Sequence, residues 1–101
     1  LVLSGMPANK FYFQGFLPQK KGRHTALIQL SKIRMTLIIF ESPFRIYKTL
    51  NEIHEHLGNR QIAICRELTK KFEQIVRGNV KNILTQQLKT KGEFVIIVNN
   101  N

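Results

Sequence analysis

Three carboxylates fall where apolar runs begin or end: Glu41 closes MTLIIF, Glu67 follows QIAIC, and Glu93 opens EFVIIV. Arg45 and Arg66 lie beside the first two. A carboxylate and a guanidinium at a strand end can orient a bound ligand through charge-assisted hydrogen bonds. They can equally close on one another as ion pairs that pin the loops. Both readings use the same residue types. Glu41, Arg66 and Glu67 are therefore candidates for orienting a ligand, and Glu41–Arg45 and Glu67–Arg66 are candidate pins.

The second chemical signal is basic. PQKKGR gathers Lys20, Lys21 and Arg23 around a glycine, and Lys70 and Lys71 follow RELT. Such clusters grip a phosphate backbone by charge without reading sequence, or serve as solvated helix starts. The chain as a whole carries sixteen Lys and Arg against six Glu and no Asp, a formal charge of +10. That excess predicts a polyanionic partner, because neutralised phosphates release counterions and a net field steers association.

Other chemistries have little support. There is no GxGxxG, no P-loop and no Cys/His cluster at zinc spacing, so no metal site is predicted. His54 and His56 are two apart on a predicted helix and point in different directions, and His24 stands alone. Cys65 has no partner for an intrachain disulfide and reads as a buried, inert thiol, which fits a reducing cytoplasm. No apolar run approaches the ~20 residues that cross a bilayer, and no membrane association is expected.

The elements that must position these groups alternate along 101 residues, enough for one domain with one modest core. FYFQGF (11–16) reads as a strand, 20–33 as a helix with Ala26, Leu27, Leu30 and Ile33 on one face, and MTLIIF (35–40) as a buried strand. Ser42 suits an N-cap and Pro43 the first helical position. The helix that follows buries Ile46, Tyr47, Leu50, Ile53, His54 and Leu57 and stops at Gly58. QIAIC (61–65) and FEQIVRG (72–78) are strands. Asn79 caps a helix burying Val80, Ile83, Leu84 and Leu88, and EFVIIV (93–98) is the last strand. The prediction is an α/β domain with a five-stranded mixed sheet flanked by helices, in the order β-α-β-α-β-β-α-β. If the second and third strands run parallel, ESPFR and RELTK emerge at one carboxyl edge, where ligands of open α/β sheets commonly bind.

SGMP (4–7), GFLP (15–18), KKG (20–22), ESPFR (41–45), RELTK (66–70), FE (72–73), RG (77–78) and GEF (92–94) occur in an order that resembles a known family. It is the C-terminal domain of the ribosomal RNA small subunit methyltransferase I family, in the tetrapyrrole methylase-like group of S-adenosylmethionine-dependent methyltransferases. The resemblance covers nearly the whole chain. It departs at Phe44, where the family often has His, so a hydrogen-bonding role there does not carry over and Phe44 is expected to pack.

The resemblance implies methyl transfer from S-adenosylmethionine to a cytidine ribose 2′-oxygen of small-subunit rRNA, by a homodimer. It implies a cofactor cleft shared with an N-terminal domain that has no counterpart before Leu1. The apolar start LVLSG likewise suggests a fragment, expected to be inactive alone. On this view Phe16, Leu17, Pro18, Ser42 and Pro43 are candidates for the cleft wall near the cofactor. Lys20, Lys21, Arg23, Arg45, Lys70 and Lys71 are candidates for RNA contacts, and Glu41, Arg66 and Glu67 orient the wall or the ribose. Two alternatives remain: a methyltransferase of the same fold acting on a tetrapyrrole or other acceptor, and a stand-alone basic RNA-binding module.

Overall fold

The computed structural model describes residues 10–68, 71–88 and 91–101, and the side chains of all of these but 67, 68 and 71–73. The elements follow the predicted order: β1 (Phe11–Phe16), α1 (Arg23–Ser31), β2 (Thr36–Glu41), α2 (Ile46–Leu57), β3 (Gln61–Leu68), β4 (Lys71–Asn79), α3 (Val80–Leu84) and β5 (Glu93–Asn99). The five strands form one mixed sheet in the order β1-β2-β5-β3-β4.

β1 and β2 are parallel, and β5 lies antiparallel to both β2 and β3. β2 and β3 therefore point the same way, as β1 does, and all three open at one edge of the sheet. The starts of β4 and β5 share that edge, since both run against β3. β5 lies in the middle of the sheet and is buried on both faces, Ile97 on one being 5% exposed. Phe94, Ile96 and Val98 are essentially inaccessible.

One face of the sheet carries the helices. Leu37 and Ile39 of β2, Ile62 and Ile64 of β3, and Phe94, Ile96 and Val98 of β5 pack there against Leu27 and Leu30 of α1, the α2 stripe, and Val80 and Ile83 of α3. Ile46, Leu50, Ile53 and Leu57 recur at helical spacing, so α2 lays one continuous stripe on the sheet. His54, expected on that stripe, is exposed.

Among the described residues, no helix covers the other face. Its centre is Ala63, Cys65 and Ile97, with Ile75 and Val95 against them. Phe11, Phe13 and Phe16 stand half exposed at its β1 side. Their common orientation needs an irregularity, because residues 13 and 16 would face opposite ways on a regular strand. A register shift between Phe13 and Gly15 supplies it, with Gly15 at φ 68°. Phe13 and Phe16 then both meet the Phe40 ring edge-on, at centroid distances of 5.2 and 5.5 Å.

Three boundaries differ from expectation. α1 starts at Arg23 rather than 20, because Gly22 at φ 85° occupies its N-cap. α3 ends at Leu84, and Leu88 enters the core from the following turn. α2 starts at Ile46, so Ser42 is not its N-cap. Residues 42–45 form a separate turn closed by Arg45 N–H donating to the Ser42 carbonyl at 3.1 Å. Arg45 holds the N-cap position without a side-chain cap. The Asn79 cap forms as expected, its Oδ1 accepting from Asn82 N–H at 2.8 Å.

Candidate functional site

The edge where β1, β2 and β3 end collects Glu41, Arg45 and Arg66 among the polar residues singled out above, because β2 and β3 run parallel. Its centre is Glu41, only 3% exposed. Oε1 accepts from Ser42 N–H at 2.8 Å and from Arg45 Nε at 3.5 Å. Oε2 accepts from the Thr49 hydroxyl and lies 3.8 Å from Arg23 Nη2. The Glu41–Arg45 pin therefore exists, and Glu41 spends both oxygens inside the domain.

Arg23 completes this array and corrects its assignment to the RNA surface. It is 6% exposed. Nε donates to Glu52 at 3.0 and 3.2 Å, Nη1 to the Pro18 carbonyl at 3.0 Å, and Nη2 to Glu52 Oε1 at 2.7 Å and Thr49 Oγ1 at 2.8 Å. All three nitrogens are engaged, leaving none to offer a phosphate. The hydrogen bond to Glu52 chiefly raises the Arg23 pKa, opposed by burial and assisted by the charges of Glu52 and Glu41. Two guanidiniums and two carboxylates thus tie the β1 exit, the β2 exit and two helices together. Burial of these charges is tolerable only because each is paired and hydrogen-bonded.

Lys20 and Lys21 differ from Arg23. They are exposed in the turn that Arg23 holds shut through Pro18, and they project from the same edge. Arg45 is intermediate. Its side chain is 34% exposed, with only Nε bound to Glu41. Lys70 lies outside the described residues, as do the side chains of Lys71 and Glu67. Arg66, 4% exposed, donates to Gln74 Oε1 at 3.4 Å and to the Lys91 carbonyl at 3.1 Å, so it braces the approach to β5.

Among the cleft-wall candidates, Phe16 lines a cavity of about 360 Å³ together with Phe40, Glu93, Phe94 and Val95. Leu17 is a correction: its side chain is 5% exposed and packs in the core. Pro18 and Pro43 are half-buried. Ser42 Oγ is buried without a hydrogen-bond partner among the described residues.

Phe44 reverses its prediction. It is 96% exposed, because the turn precedes α2 and the buried positions on either side are Glu41 and Ile46. His24 is not alone either; its ring meets that of His56 edge-on at 5.1 Å. Sequence spacing could not pair residues on two different helices. Cys65 is buried as expected, and burial pushes its thiol above the ordinary value, against a smaller lowering by Arg77.

Among the described residues, no group of three or more His, Cys, Asp or Glu is placed to hold a metal, and no helix is long and apolar enough to cross a membrane.

No family model matches the chain. Individual proteins do. A protein of Halalkalibacterium halodurans is 44% identical over 104 residues, covering 100% of this chain. One of Bacillus subtilis is 40% identical over 97% of it, and one of Thermotoga maritima 38% identical over 97%. All three are named ribosomal RNA small subunit methyltransferase I. The chain belongs to the ribosomal RNA small subunit methyltransferase I family. It spans 36%, 35% and 45% of the three relatives' own lengths, about a third to under a half. The sheet edge around Glu41 carries the ESPFR motif, one of those on which the resemblance rests.

Proposed function

We propose that this chain is the C-terminal domain of a methyltransferase that uses S-adenosylmethionine to methylate a cytidine ribose 2′-oxygen in small-subunit rRNA. The observation that carries this reading is the set of whole-chain matches at 38–44% identity to proteins bearing that family name. The +10 charge supports an RNA acceptor over a small tetrapyrrole.

S-adenosylmethionine supplies an electrophilic methyl group. The domain's own contribution is placement, since in-line displacement needs the attacking oxygen held close and aligned, and orientation alone lowers the barrier substantially. The aromatic cavity lined by Phe16 suits one wall of a cofactor cleft, and Pro18, Ser42 and Pro43 are the further residues this reading assigns to that wall. Leu17 supports that wall from the core. The Glu41–Arg23–Glu52 array holds the wall rigid. Lys20, Lys21 and Arg45, with Lys70 and Lys71, form the basic rim for RNA, while Arg66 and Glu67 order the end of β3.

The remaining wall comes from an N-terminal domain, and the isolated chain is inactive. The protein acts in the cytoplasm as a homodimer. Phe11 and Phe13, both half exposed, present ~200 Å² of apolar surface beside the Phe16 cavity, part of the ~800 Å² each partner buries in a stable dimer. A second copy is the occupant this reading assigns to that face.

The test incubates the intact protein with small ribosomal subunits and methyl-labelled S-adenosylmethionine, then maps the label. Label on a cytidine 2′-oxygen is expected. Label only on a corrinoid precursor, or transfer by the 101-residue chain alone, overturns the proposal.

A further inference from the structure

The turn Ser42–Arg45 displays one side chain that the domain does not use, Phe44, and one that it uses only in part, Arg45. Phe44 is 96% exposed, well beyond Phe13 and Phe16 at 57%. A phenylalanine on a slack loop would fold back onto the nearest apolar surface. This one is held out. Pro43 fixes its own φ, Arg45 N–H closes the turn onto the Ser42 carbonyl, and Glu41 grips the turn at both ends through Ser42 N–H and Arg45 Nε. Glu41 is itself braced by Thr49 and Arg23.

Next to Phe44 in the chain, Arg45 gives only Nε to Glu41; Nη1 and Nη2 have no partner among the described residues. Those two nitrogens form the edge of the guanidinium that meets a phosphate in bidentate fashion. An exposed flat aromatic on a pinned turn, one residue from a guanidinium with two free nitrogens, carries the groups that a nucleobase and its phosphate require. Unpaired RNA is recognised in this way, by stacking bases on aromatic rings and tracking the backbone with cations. A duplex would hide the base faces. A protein partner would be expected to meet an exposed aromatic with apolar neighbours around it; here Arg45 adjoins it, and Lys20 and Lys21 project from the same edge.

We infer that the β2–α2 turn is a nucleotide clamp for single-stranded RNA, in which Phe44 stacks on an unpaired base and Arg45 holds the adjoining phosphate. This rests on the RNA reading of the proposed function and adds where and how one nucleotide is gripped. The family resemblance suggested only that Phe44 packs.

The experiment uses the intact protein and measures the Kd for an unstructured RNA oligonucleotide and for small ribosomal subunits, with Phe44→Ala, Phe44→Leu and Phe44→Trp. Binding of S-adenosylmethionine is measured in parallel by calorimetry. Stacking predicts RNA binding about 10-fold weaker or more for both Ala and Leu. It predicts wild-type affinity for Trp and unchanged cofactor binding throughout. The Trp variant also adds a fluorophore at the turn, and the emission it contributes over wild type should be quenched by the RNA. If Leu binds as tightly as wild type, or if all three variants do, the clamp is refuted while the RNA reading stands. If the wild type binds neither RNA, the RNA reading fails and the clamp with it.

Discussion

Arg23 Nη2 and Glu52 Oε1 sit 2.7 Å apart, joining the first residue of α1 to the middle of α2 beneath the sheet edge. The same guanidinium holds the Pro18 carbonyl and faces Glu41. One side chain thus sets the relative position of the basic turn and the end of β2.

Removing it should be expensive. Arg23→Ala leaves Glu52 and Glu41 short of a buried counter-charge, and truncating one partner of such a pair costs ~3–5 kcal/mol. Lys20→Ala and Lys21→Ala, being exposed, should fall within ~0.5 kcal/mol of wild type. Urea denaturation of the three variants checks the contrast. Equal stability of all three would mean that Arg23 is not the tie described.

Lys20 and Lys21 should instead show in binding. In the intact protein, Lys20→Glu with Lys21→Glu is expected to weaken RNA binding and to flatten the plot of log Kd against log salt. Loss of two phosphate contacts on a single strand removes ~1.4 from the slope. An unchanged slope would place the turn outside the RNA interface.

Ser42 and Asn79 look alike as helix caps on paper and should behave oppositely. Asn79→Ala loses a cap hydrogen bond and should cost ~1 kcal/mol. Ser42→Ala removes a buried hydroxyl without a partner, so stability should hold or rise slightly. Thermal melts of both variants decide the matter. A Ser42→Ala loss as large as that of Asn79→Ala would restore the capping role.

Cys65 predicts a pH dependence with a definite sign. Burial raises its thiol pKa in the folded state, so the folded form resists becoming thiolate. Its stabilising contribution is full below the unfolded thiol's value near ~8.5 and is lost as pH rises from there through the higher folded value. The stability of Cys65→Ala should therefore fall less between neutral and alkaline pH than that of wild type. Alkylation of native Cys65 at neutral pH should be slow.

Much of the scaffold was legible because its signals are local. The alternating and continuous apolar runs located all five strands, Gly58 and Asn79 marked helix ends, and Glu41 at the end of β2 with Arg45 four residues on anticipated their contact. What stayed hidden depends on groups far apart in sequence. Arg23 sits in a basic run and looks like surface charge until Glu52, 29 residues later, folds against it. Phe44 is apolar and reads as packing, yet the turn before α2 faces it outward. The pairing of His24 with His56 required two helices to be laid side by side. A sign existed for Arg23: it ends its run at the first position of a helix, with Thr49 and Glu52 three apart on the next.

The position of β5 between β2 and β3 bears on how the domain comes into being. As the protein is synthesised, β1 with β2, and β3 with β4, emerge as two hairpin-like or crossover halves that share no strand pairing. Glu93–Asn99 must arrive before they can be joined, and it brings two ladders at once. Chains stalled before that segment would expose the inner borders of both halves, each an open strand edge of the kind that recruits other chains. The sheet therefore becomes continuous only when its last strand is in place.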